Sequence, residues 1–133
     1  MLKPARILIV DDQAYVRHTL RSLLAQQQHW QIYEAESAKV ALDLIPDIRP
    51  HLMVIDIVMP EMNGLELACE IRQLKDPPKI VLMSSHYNPE EARVLSRLFG
   101  DGGFVTKSEA DKTLIPAISH LLPEECQAKA TTA

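Results

Sequence analysis

The chain has 133 residues, 47% of them apolar and 24% charged, enough for one domain with its own core and too few for two. A net charge of −4 and a pI near 5.7 exclude bulk attraction to nucleic acid or to an anionic membrane surface, and no apolar run approaches the roughly 20 residues of a membrane span. Cys69 and Cys126 have no metal-like spacing and no separate apolar signal region precedes the first strand pattern, which reads as reduced thiols in a cytoplasmic protein.

In chain order, Arg6-Ile7-Leu8-Ile9-Val10 is a continuous apolar strand that ends in Asp11-Asp12. Residues 13 to about 28 turn helical, with Val16, Leu20, Leu23 and Leu24 on one stripe. Residues 29–35 form a weaker, alternating strand. Ser37 is placed to cap a second helix whose end Pro46 marks. Leu52-Met53-Val54-Ile55 is a branched apolar run of the kind buried on both faces of a parallel sheet, and Asp56 stands at its carboxyl end. Asn63 or Gly64 opens a third helix, with Leu67, Ala68, Ile71 and Leu74 as its apolar stripe, broken at Asp76-Pro77-Pro78.

A fourth strand, 79–84, ends in Ser84 and Ser85. Asn88-Pro89-Glu90-Glu91 starts a fourth helix. Gly100-Asp101-Gly102-Gly103 is a turn, Phe104-Val105-Thr106 the last strand, and Lys107 follows it. Ser108 is placed to cap a fifth helix carrying Leu114, Ile118, Leu121 and Leu122, which Pro123 closes. Residues 5–122 thus form the domain, and 123–133 a short polar tail expected to fray. Five strand–helix pairs in alternation predict an α/β fold, a doubly wound parallel sheet of flavodoxin-like (βα)5 type with strand order 2-1-3-4-5.

Ligands of such sheets bind at the carboxyl ends of strands, next to the switch point between the first and third. That order brings Asp11, Asp12 and Asp56 side by side. Three adjacent carboxylates repel one another unless a cation neutralises them, and a hard divalent ion with oxygen ligands, Mg2+, suits the donor set. Lys107 adds a positive charge and Ser84 a hydroxyl. The collection fits a carboxylate nucleophile that accepts a phosphoryl group and becomes an acyl phosphate.

These residues resemble the receiver domain of bacterial two-component response regulators. The resemblance is carried by Ile9-Val10-Asp11-Asp12, by Val54-Ile55-Asp56-Ile57-Val58-Met59-Pro60 with Met62-Asn63-Gly64, by Ser84, and by Gly102-Gly103-Phe104-Val105-Thr106-Lys107. It implies Asp56 as phosphoacceptor and a histidine kinase or histidine phosphotransfer protein as donor. It implies Mg2+ held by Asp12, Asp56 and the Val58 backbone carbonyl, with Asp11 contributing through water. Lys107 would contact the phosphoryl group, and Ser84 and Phe104 would form the switch pair. The output would be a changed surface of the fourth helix, fifth strand and fifth helix, with a phosphorylation-dependent dimer as one form of it, and no direct nucleic-acid binding by this chain.

The chain departs from the family in four places, one being Ser85, where a small Ala or Gly is common. Ser108 replaces a proline often found after the lysine in a cis bond; before a non-proline residue the cis form costs roughly 2.5–4 kcal/mol, so the expectation is a trans bond or a strained exception. This Lys-Ser pair resembles the subfamily whose outputs carry a helix-turn-helix. The switch hydroxyl is Ser rather than Thr, and Phe104 lacks a ring hydroxyl, so its rotation would depend on packing.

Blander readings stand beside these. A lone Asp11-Asp12 would read as a capping pair, but Asp56 and Lys107 favour the metal site; Phe104 would serve as core, His86 as an ordinary loop histidine, and Met59 and Met62 as loop packing or a partner contact. His18, His29, His51 and His120 show no ligand spacing. The competing function is a phosphatase with an aspartyl-phosphate intermediate, but Asp56-Ile57-Val58 lacks the second acid such enzymes place two residues on. A nucleotide or flavin site is disfavoured, since no glycine-rich turn follows Val10 and two acids there would repel phosphate. The chain is thus expected to be a switch and not an enzyme, either alone or as the amino-terminal part of a longer regulator.

Overall fold

The computed structural model describes residues 3–85, 88–99, 101 and 103–127. Five parallel strands form one sheet in the order β2-β1-β3-β4-β5: β1 Ala5–Val10, β2 Trp30–Ala35, β3 Leu52–Asp56, β4 Lys79–Ser84 and β5 Gly103–Thr106. The helices between and after them are α1 Ala14–Leu24, α2 Ala38–Ile48, α3 Gly64–Arg72, α4 Pro89–Phe99 and α5 Ala110–Leu121. The doubly wound fold expected from the alternation is therefore the one observed.

Strand side chains alternate between two cores. Ile7 and Ile9 of β1, Leu52 and Val54 of β3, and Val81 and Met83 of β4 pack with Leu20 and Leu24 of α1 and Leu114 and Ile118 of α5. Leu8 and Val10, Met53 and Ile55, and Ile80 and Leu82 pack with Ala41 of α2 and Leu67 and Ile71 of α3. Burial of each such side chain contributes roughly 1.5–3 kcal/mol. This double burial is why the central strands read as unbroken apolar runs.

Caps explain where several helices begin. Ser37 Oγ accepts from the Val40 N–H at 3.1 Å. Asn63 Oδ1 accepts from the Glu66 N–H at 2.9 Å, and Glu66 Oε1 accepts from the Asn63 N–H at 3.2 Å, a reciprocal capping box. Asn88 Oδ1 accepts from the Glu90 N–H at the start of α4.

Some boundaries differ from the sequence expectation. α1 stops at Leu24, its last buried residue; an exposed Ala25 and three glutamines follow. Pro46 lies inside α2 and does not end it; the turn beyond it closes through the Arg49 N–H to the Ile45 carbonyl, with Arg49 left-handed at φ 51. α3 ends at Arg72, which leaves Leu74 outside the helix and 40% exposed. Ser108 makes no cap: Lys107–Glu109 is a 3-10 turn leading into α5. The Lys107–Ser108 bond is trans. The tail expected to fray from Glu124 is, as far as Gln127, a 3-10 turn with Cys126 buried in the α1/α5 core. Residues 128–133, His86, and Gly100 and Gly102 of the expected turn lie outside the described residues.

Candidate functional site

Strand register builds the site. Val10 lies opposite Ile55, so one residue further Asp11 comes beside Asp56, both on the row that faces α1 and α5. Asp11 and Asp56 are buried, at 1% and 4% exposure, and Asp12 next to them is exposed. One carboxylate oxygen from each of Asp11, Asp12 and Asp56 lies within 4.8 Å of the others. β5 delivers Lys107 to the same place: its ammonium is 3.0 Å from Asp11 Oδ2 and 3.3 Å from Asp56 Oδ2.

Asp56 owes its position to close backbone packing. The Ile57 N–H bonds to the Met83 carbonyl and the Gly64 N–H to the Ile57 carbonyl, at 2.9 and 2.8 Å. A Cβ on Gly64 would stand 2.2 Å from the Asp56 carbonyl oxygen; only glycine lets α3 start this close to the strand end. The Val58 N–H donates to the Asp56 carboxylate, while the Val58 side chain is 72% exposed.

Burial, and then the Asp11 charge, push the Asp56 carboxyl up to about 6; Lys107 and the Val58 N–H act against that rise without cancelling it. For Lys107, burial acts to lower the pKa, but hydrogen bonding and attraction to Asp11 and Asp56 prevail and raise it. Asp11 Oδ1 accepts from the Gln13 N–H at 2.9 Å. Asp11 Oδ2 is buried without a well-aligned hydrogen bond, and its partner is the Lys107 ammonium 3.0 Å away. Three acids with carboxylate oxygens within 4.8 Å of one another and one ammonium beside two of them fit a hard divalent cation.

The remaining predicted residues lie on β4, on β5 and in the loop after β3. Ser84, buried at 7% exposure, ends β4 one residue beyond Met83, the register partner of Asp56. It lies opposite Thr106 on β5. Phe104 is half-buried against the α2/α3 core. It also lines a cavity of about 770 Å3 with Ser96 and Arg97 of α4 and Glu109 beyond β5. Met59 is buried and Met62 partly so, both against the α2/α3 core, so loop packing accounts for them.

Two features escaped the sequence reading. Arg17 and Arg21, four apart on α1, both bind Glu34 of β2, and Arg17 Nη1 also donates to the Asp11 carbonyl at 2.7 Å. The i, i+4 arginine pair facing an acid on the neighbouring strand was the available signal. At the opposite end of the sheet His51, Glu125 and Cys126 come within 4.8 Å. They are a poor metal site: His51 Nδ1 accepts the Arg6 N–H at 3.0 Å, so in the neutral ring Nε2 keeps its proton.

The sequence pattern of the response regulator receiver domain matches residues 7–119. The transcriptional regulatory protein YdfI of Bacillus subtilis is 36% identical over 110 residues, 82% of this chain and 51% of that protein. The chemotaxis protein CheY of Halobacterium salinarum is 30% identical over 118 residues, 88% of this chain and 96% of that one. A crystal structure of a LuxR-family two-component response regulator from Aurantimonas superposes with a TM-score of 0.80 at 30% identity, over 89% of this chain and 84% of that one. The chain spans about half the length of curated relatives such as YdfI and the response regulator MprA. Among the described residues no helix is long and apolar enough to cross a membrane.

Proposed function

This chain belongs to the response regulator receiver domain family, and from that premise we propose that it is a phosphorylation-dependent switch whose acceptor is Asp56. The observation that carries the reading is the Lys107 ammonium, 3.0 Å from Asp11 and 3.3 Å from Asp56. It is a fixed positive charge beside a buried carboxylate.

An Asp56 oxygen attacks the phosphorus of a phosphohistidine on a sensor kinase or histidine phosphotransfer protein. The new O–P bond makes an acyl phosphate as the P–N bond breaks, and its electron pair leaves with the imidazole. Lys107 stabilises charge on the phosphoryl oxygens and swings from Asp11 to do so. With its pKa near 6, Asp56 is mostly ionised at pH 7 and available as nucleophile.

Asp11, Asp12, Asp56 and the Val58 carbonyl would hold Mg2+. When bound, the ion supplies the positive charge that three clustered acids and a phosphoryl group require. The Ser84 hydroxyl donates a hydrogen bond to the attached phosphoryl and draws the end of β4 toward it. Phe104 repacks beside the cavity under α4, and the α4-β5-α5 surface changes for a downstream target or a second copy. The chemistry is confined to the chain's own phosphorylation and dephosphorylation, in the cytoplasm. The chain acts alone or as the receiver of a longer regulator whose effector supplies any DNA contact.

Incubation with acetyl phosphate and Mg2+, read by intact-protein mass, tests the acceptor. Wild type gains one phosphoryl group and Asp56→Asn gains none; uptake by Asp56→Asn at the wild-type rate refutes the assignment.

A further inference from the structure

Asp11 lies just beyond β1, where the ladder that satisfies the strand's carbonyls ends. Its main chain is nonetheless held at both sides: the N–H donates to the Ala35 carbonyl at 3.2 Å, and the carbonyl accepts from Arg17 Nη1 at 2.7 Å. Arg17 is in turn held by Glu34, whose Oε1 accepts from its Nε at 3.2 Å. The pair is largely sheltered, with side chains 15% and 23% exposed.

At the start of α1 the Gln13 N–H also ties to Asp11 Oδ1 at 2.9 Å, but that bond leaves the Asp11 carbonyl to Arg17. Ser37 and Asn63 cap α2 and α3 with side chains, whereas Gln13 at the start of α1 makes no side-chain cap and the first turn carries no acid. The loop that presents Asp11 and Asp12 is thus fixed by a guanidinium from the second turn of the helix. A fork of parallel donors allows one side chain to bridge a carboxylate and a carbonyl.

We propose that Arg17 is a positioning residue for the cation site: braced by Glu34, it pins the Asp11 carbonyl and so sets the geometry in which Asp11 and Asp12 present their carboxylates to a divalent ion. This rests on the reading of the acid cluster as the Mg2+ site. A purely structural role, fastening α1 to the edge strand, belongs instead to Arg21, which touches Glu34 and the Ile32 carbonyl but not the acid loop.

The two roles separate by sign. Arg17 is a positive charge close to a cation site, so removing the charge alone tightens Mg2+ binding, whereas releasing the loop weakens it. Calorimetric titration of the full chain with MgCl2 is the measurement, with urea unfolding in EDTA run on each variant. Arg17→Gln is expected to weaken Mg2+ binding about 10-fold, the usual loss when support behind a metal ligand is removed. Arg17→Lys keeps the charge but not the fork and is expected to fall between Arg17→Gln and wild type. Arg21→Ala is expected to lower unfolding stability and leave Mg2+ affinity at the wild-type value.

Arg17→Gln binding Mg2+ as tightly as wild type, or more tightly, overturns the proposal. Should Arg17→Gln not fold, wild-type affinity in Arg17→Lys overturns it in the same way. A wild-type chain that binds no Mg2+ overturns the site reading itself, and this inference with it.

Discussion

The two ends of the sheet handle buried polarity in opposite ways. At the amino ends of the strands the polar groups are matched. The Arg6 N–H is taken by His51 Nδ1, the His51 N–H by the Arg6 carbonyl, and Arg6 Nε donates to the Ile48 and Arg49 carbonyls. The turn at 124–126 closes over this end with the Cys126 side chain in the core. At the carboxyl ends, one lysine faces three acids, an Asp11 oxygen has no well-aligned hydrogen bond, and the Asp56 pKa is pushed up to about 6. One end contributes stability. The other holds clustered negative charge that Lys107 offsets only in part.

The sharpest way to break this contrast is to remove the ammonium that pairs with Asp11 and Asp56. Lys107→Ala is expected to slow phosphoryl uptake from acetyl phosphate about 100-fold, the scale of losing one transition-state contact, measured as initial rate at saturating Mg2+.

Next comes the pH dependence of folding in EDTA. Asp56 binds its proton more tightly folded than unfolded, so between its ordinary value of 3.8 and about 6 the unfolded state releases the proton first. Stability therefore falls as pH rises through that window and levels off above it, by at most about 3 kcal/mol. His51, lowered by burial and by Arg6, contributes the opposite slope at the other end. The quantity to measure is thus the urea-unfolding difference between wild type and Asp56→Asn, which should grow from pH 4 to pH 7 in favour of the variant.

Gly64→Ala should cost about 2 kcal/mol, because the new Cβ forces the start of α3 off the Asp56 carbonyl. It should slow phosphoryl uptake as well, since the Asp56 backbone moves with it. The smallest effect belongs to the matched end: His51→Ala strands the Arg6 N–H and should cost about 1 kcal/mol of unfolding free energy with phosphoryl uptake unchanged. A loss of uptake there would mean that the two ends are coupled and the contrast is false.

Much of this was legible in the residues alone. Continuous branched runs at β1, β3 and β4 specify buried parallel strands, because a strand covered on both faces has no polar side to show. Strand-end placement of Asp11, Asp56 and Lys107 follows from where those runs stop. Pro46 and Ser108 misled because each local signal is weak beside tertiary contacts: α2 closes its last turn without the missing N–H, and the chain leaves β5 through a 3-10 turn before α5 begins.

What sequence determined, then, was the set of elements, their order and the residues at strand ends, all of which depend on short-range patterns of apolarity and turn chemistry. Tertiary structure decided which atoms share a charge: that Lys107 reaches both Asp11 and Asp56, and that Arg17 joins Glu34 to the Asp11 carbonyl. Those facts belong to distances between segments far apart along the chain, and Coulomb and hydrogen-bond energies change over an ångström that no local pattern encodes.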